Sequence, residues 1–134
     1  MLSPAMSFDA TLDRDGLTWA QAPEATLARI SGTLPTPYEW RRFLDHLRPS
    51  SRPLVLWLRG RVWLGSAART ELAHAIGSST VALLVSDDIG RGLATALRWM
   101  KTDVHAFDLA QLDDVDALLQ LPSGLSLDLL QRVT

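Results

Sequence analysis

Few side chains in this chain are of a type and spacing that could do chemistry. Ser66 and His74 suggest a nucleophile and its base, but eight helical residues separate them by roughly 12 Å along a helix axis, too far for a hydrogen bond within one helix. His46, His74 and His105 fall on three different predicted elements and lack the close ligand spacing of a His-Glu-x-x-His pattern. Ordinary surface or core histidines account for them, and neither a metal nor another cofactor is implied. Asp113, Asp114 and Asp116 suggest a cation site, yet they open a predicted helix, where the dipole favours negative charge, and we read them as capping charge. Gly90-Arg91-Gly92 follows a predicted strand and opens a helix, as a phosphate loop would. It carries only the first half of a Gly-x-Gly-x-x-Gly pattern, and Asp87 and Asp88 beside it repel an anion. The chain has no cysteine, which excludes thiolate catalysis, disulfides and cysteine-ligated metals together. No activated nucleophile, acid–base pair or metal set assembles, so the chain is read as non-catalytic.

Contact chemistry is better represented. Five tryptophans in 134 residues is a high count. Trp40, Trp57 and Trp99 are expected in the core, whereas Trp63-Leu64 falls in a predicted loop just before a helix and is either core or an exposed contact patch. In doubly wound sheets ligands collect at the carboxyl ends of strands, which directs attention to residues 60–66 and 86–92. The candidate partner or ligand edge is therefore Trp63, Leu64, Gly65, Ser66, Asp87, Asp88 and Gly90.

These residues are positioned by a strand–turn–helix unit. Leu54 to Leu58 is an unbroken apolar run between Pro53 and the Arg59-Gly60-Arg61 turn, as suits a strand covered on both faces. Ser66, a preferred N-cap type, then opens a helical pattern that runs to Ile76 and ends at Gly77. Thr80 to Ser86 is a second continuously apolar strand, and Asp87 or Asp88 caps a helix with Ile89, Leu93, Ala96, Leu97 and Met100 facing inward.

Upstream, Met1 to Ser7 is expected to be a loose end. Phe8 to Leu12 and Leu17 to Gln21 are expected to form a hairpin across Asp13-Arg14-Asp15-Gly16. Ala25 to Ser31 alternates, with Leu27 and Ile30 as apolar anchors, and reads as a second strand or a continuation of the hairpin. Thr36-Pro37 opens a helix that brings Trp40, Phe43, Leu44 and Leu47 to one face and is stopped by Pro49-Ser50-Ser51. Downstream, Val104 to Phe107 is a short strand. The helix after it turns Leu112, Val115, Leu118 and Leu119 inward, and Leu125 to Leu130 is a last short helix or an apolar tail. Strands alternating with helices imply an α/β fold with right-handed crossovers, a mainly parallel sheet and an antiparallel contribution at its N-terminal edge.

The length suits one domain, 1–134, burying roughly two-thirds of the surface its unfolded chain exposes. With 47% hydrophobic and 21% charged residues the composition is globular. A net charge of −2, with the basic residues scattered and read as a solvated face, argues against nucleic-acid binding. No run approaches the ~20 apolar residues of a membrane span, so a soluble, cytoplasmic protein is expected.

The segment LVLWLRGRVWLGS, followed by VALLVSDDIGRGLATALRWMKTDVHAFDLAQLDDVDALL, resembles the STAS domain and its SpoIIAA-like branch. That is the fold of bacterial anti-sigma-factor antagonists and of the cytoplasmic tails of sulfate transporters. The resemblance covers about Ala25 to Leu121, with 1–24 as a loose end and hairpin before it and 122–134 as a tail. It implies a mixed, mainly parallel sheet with four helices, a regulatory module acting by protein–protein contact, and Ser66 at the family's phosphorylated serine. Trp57 stands where the family's strand carries aspartate, Gly65 replaces the acid before the serine, and Ala67-Ala68 replaces a small polar or glycine pair. The plain alternative for Ser66 is a helix cap. The alternative function is a carrier or sensor of a small apolar ligand or lipid, and an exposed sheet edge with apolar loops allows a homodimer.

Overall fold

The computed structural model describes residues 16–32, 35–47 and 52–134. The expected loose end, the strand at Phe8–Leu12, the turn residues 13–15 and the helix stop at 49–51 lie outside them. Strands β1 (Gly16–Gln21), β2 (Thr26–Ser31), β3 (Leu54–Arg59), β4 (Thr80–Leu84) and β5 (Asp103–Phe107) form one sheet in that order. β1 runs antiparallel to β2, with Trp19 opposite Ala28, and every later neighbour is parallel. Five α-helices accompany the described strands rather than the expected four: α1 (Pro37–Leu47), α2 (Ser66–Ile76), α3 (Asp88–Trp99), α4 (Leu112–Leu119) and α5 (Leu125–Arg132). The additional one, α5, forms from the Leu125–Leu130 stretch. Among the described residues no helix is long and apolar enough to cross a membrane.

Alternation along each strand divides the interior into two cores. Ala28, Ile30, Leu54, Leu56, Leu58, Val81, Leu83 and Val104 face α1, α2 and α3. Leu27, Val55, Trp57, Ala82 and Leu84 face Val115 and Leu119 of α4 and Leu129 of α5. The apolar runs of β3 and β4 are continuous because both faces are covered. β2 to β5 advance in one direction with all three crossover helices on one face, so the sheet is not doubly wound and has no order reversal to create a ligand crevice.

Covering both faces also overturns the alternating reading of Ala25–Ser31. Every residue of β2 is buried, Leu27 and Ile30 point into opposite cores, and Thr26, Arg29 and Ser31 are buried with them. Arg29 is thus an exception to the solvated reading of the arginines.

Local capping follows the sequence closely in two places. The Thr36 hydroxyl accepts the Glu39 N–H at 3.2 Å while the Thr36 N–H donates to Glu39 Oε1 at 3.0 Å, a reciprocal capping box before Pro37. Gly77 ends α2 with φ 57° and donates its N–H to the Ala73 carbonyl. The inward face of α3 is narrower than expected: Leu93, Ala94 and Leu97 are buried, but Trp99 is 85% exposed and Met100 is exposed as well. At 100° per residue Trp99 stands about 200° around the helix from Leu97, and Met100 follows the last helical turn.

Candidate functional site

The site is built at the carboxyl ends of β3 and β4. The chain leaves β3 through Gly60, at φ 78°, and continues through residues 61–65 to α2. Val62 and Leu64 are both buried, and the alternation between them turns Trp63 outward, leaving it 65% exposed. These two anchors also decide where the helix begins. Gly65 is still extended (φ −68°, ψ 173°) and is the N-cap, its carbonyl accepting the Arg69 N–H at 2.9 Å. Ser66 is already helical, its hydroxyl makes no cap hydrogen bond, and it is exposed, which corrects the expectation that it caps α2.

One turn into α2, Arg69 lies against Trp63 with its guanidinium carbon 5.7 Å from the ring centroid, a cation–π contact. Its Nε is buried and has no hydrogen-bond partner.

The opposite wall comes from the β4–α3 turn. Asp87 is the N-cap of α3 and accepts the Gly90 N–H at 3.0 Å. A Cβ on Gly90 would meet Val85 Cγ1 at 2.6 Å, so only glycine lets the first turn of α3 press against the end of β4. That approach brings Asp88, Ile89, Gly92 and Leu93 opposite Val62, Trp63, Leu64 and Arg69, around a half-open cleft of about 340 Å³ with mostly apolar walls.

Of the candidate edge residues, Trp63, Leu64 and Asp88 line this cleft. Gly65 and Ser66 begin the helix beside it, whereas Asp87 and Gly90 act in the cap and packing of α3. Leu64 also faces a second depression of about 320 Å³ between α1 and α2, where Trp40, Ala67 and Ala68 meet Pro35 and Pro37. Sequence reasoning missed Arg69. The helical pattern of α2 marks its apolar face, and no local signal says that an arginine on its flank will meet an indole from the preceding loop.

The other candidate chemical groups stay apart. His46 is on α1, His74 on α2 and His105 on β5, and among the described residues no three potential ligands cluster as a metal site would require. His46 stacks on Trp19, and burial together with the nearby Arg52 charge lowers its pKa below 6.5. His105 Nε2 lies 2.7 Å from Asp103 Oδ1, and the Thr80 hydroxyl donates to Asp103 Oδ2 at 2.8 Å. The hydrogen bonds from Thr80 and His105 hold the Asp103 carboxyl below its ordinary range.

Asp113 and Asp114 occupy the first turn of α4, as capping charge should. Asp116 does not act that way. It is 5% exposed, and its carboxylate accepts the Gly124 N–H at 2.9 Å and the Ser126 N–H at 3.0 Å, tying α4 to the start of α5. Compared with known proteins, the chain matches no family model, no curated protein and no solved structure.

Proposed function

We propose that this chain is a non-catalytic interaction module of the STAS, SpoIIAA-like kind that binds a protein partner through the cleft between α2 and α3. The observation that carries this reading is Trp63, a large indole held in water by buried neighbours on either side and in cation–π contact with an arginine. Aromatic and arginine side chains together at an apolar cleft are the composition of protein contact sites, and truncating such anchors commonly removes most of the binding. The half-open shape suits side chains on a partner's surface better than a fully engulfed ligand. The family resemblance is supported by the element order and by the position of the LVLWLRGRVWLGS segment, which supplies one wall of the cleft. Ser66 is the candidate phosphosite. A phosphate there would add negative charge at the start of α2 and alter the face a partner reads.

The test places a photo-reactive phenylalanine analogue at exposed Ser66, beside the cleft and with Trp63 intact, in the full chain and irradiates it in extract of the native cell. The expected result is a protein adduct of discrete mass that the same analogue at exposed Arg132 does not give. No adduct at position 66, or the same adducts from both positions, would sink the docking reading.

A second reading, a carrier of a small apolar ligand, is favoured by the apolar walls that Val62, Leu64, Ile89 and Leu93 give the cleft. Native mass spectrometry of the purified chain tests it: a retained organic molecule lost in Leu93→Gln supports the carrier, and bare protein speaks against it.

A further inference from the structure

We infer that the partner presents a carboxylate to Arg69 beside an apolar side chain, so that the occupant of the cleft is an acidic, leucine-like peptide segment. This rests on the docking reading above and names the chemistry of its partner.

The Arg69 side chain makes no hydrogen bond or ion pair among the described residues, and its guanidinium lies over the Trp63 ring. Other arginines on the same helical layer are engaged: Arg41 pairs with Glu71 at 3.3 Å, and Arg98 donates to the Val104 carbonyl at 3.3 Å. The Nε is buried away from an incoming ligand, but a carboxylate matches the two Nη groups of the planar fork in a two-point contact. The contact with the indole restrains the arginine side chain before binding, which reduces the ordering cost. Next to it, Val62, Leu64 and Leu93 offer an apolar floor for a branched side chain.

Asp88 faces the same cleft and is not ion-paired with Arg69. Its charge opposes a second anion, so it orients a lone carboxylate toward α2 and disfavours polyanions.

The test uses the full chain, labelled with ¹⁵N, at pH 7. Two blocked pentapeptides, alanine-leucine-glutamate-leucine-alanine and its glutamine counterpart, are titrated against the amide signals of Gly65 and Gly92 and the indole N–H of Trp63. The glutamate peptide is expected to saturate these shifts with a Kd about tenfold below that of the glutamine peptide. Arg69→Gln should remove the difference, Arg69→Lys should retain part of it, and Asp88→Asn should tighten the glutamate peptide. The spectrum of each variant reports its folding.

Equal binding of both peptides, lost in Trp63→Ala, would overturn the carboxylate while leaving docking at the cleft intact. Failure of both peptides to bind up to millimolar concentration would overturn the inference, with the crosslinking result deciding separately whether the cleft docks a protein. Octanoate saturating the same shifts more tightly than the glutamate peptide would overturn the peptide occupant in favour of a free acid.

Discussion

The Arg69 guanidinium lies over the Trp63 indole at 5.7 Å, on the rim of the α2–α3 cleft and outside both hydrophobic cores. Little folding energy therefore depends on the pair. An exposed cation–π contact contributes about 0.5–1 kcal/mol, so Trp63→Ala should lower unfolding stability by no more than about 1 kcal/mol in urea titration. Crosslinking to a partner from a neighbouring surface position such as Ser66 should nonetheless be lost in the same variant. A larger loss of stability would mean that the indole serves the fold.

Trp57 and Trp99 provide the opposite comparison. Trp57 packs against α4 and α5 in the second core, whereas Trp99 is almost wholly exposed. Trp57→Ala should cost about 3–5 kcal/mol by cavity formation, and Trp99→Ala should stay within about 0.5 kcal/mol of the parent. Thermal unfolding of the two variants side by side checks this ordering.

Asp116 holds two backbone N–H groups at the α4–α5 junction. Asp116→Ala strands both donors, at about 1–3 kcal/mol for each one that water cannot reach, and Asp116→Asn, which keeps one carbonyl acceptor, should lose less. Hydrogen exchange at Leu129 should accelerate with the stability loss, because α5 is docked through this junction and the second core.

Gly90→Ala places a methyl group 2.6 Å from Val85 Cγ1 and 2.7 Å from Val85 Cβ. The expected cost is about 1–3 kcal/mol of overpacking. Adding Val85→Ala removes the Cγ1 clash but keeps Cβ, so rescue should be partial. Full recovery would show that the α3 turn can move away from the strand.

His46 gives stability a pH dependence of definite sign. Its folded pKa is below the unfolded value of 6.5, first through burial and then through the Arg52 charge. Between those two values the unfolded chain binds more protons, so this group's contribution is complete above about pH 6.5 and declines as pH falls through the window. His46→Phe, which can keep the ring stack on Trp19, should flatten the dependence in denaturation curves taken from pH 7.5 to 5. An unchanged slope would place its origin elsewhere.

Much of the framework was legible from local pattern alone. Thr36-Pro37, Asp87 and Gly77 mark helix ends through bonds to residues within three or four positions, and the apolar runs of β3 and β4 announce strands covered on both faces. The tertiary structure decided what no local period contains. Helices over both faces of the sheet buried Thr26, Arg29 and Ser31 within β2. The buried anchors Val62 and Leu64 moved the cap of α2 to Gly65 and turned Trp63 outward, while the position of Trp99 on α3 left that indole in water. Asp116 met two amides across the α4–α5 turn, and Arg69 met an indole from the preceding loop. In each case the side chain's role depends on which distant segment packs against it, and periodicity along one element carries no information about its neighbour.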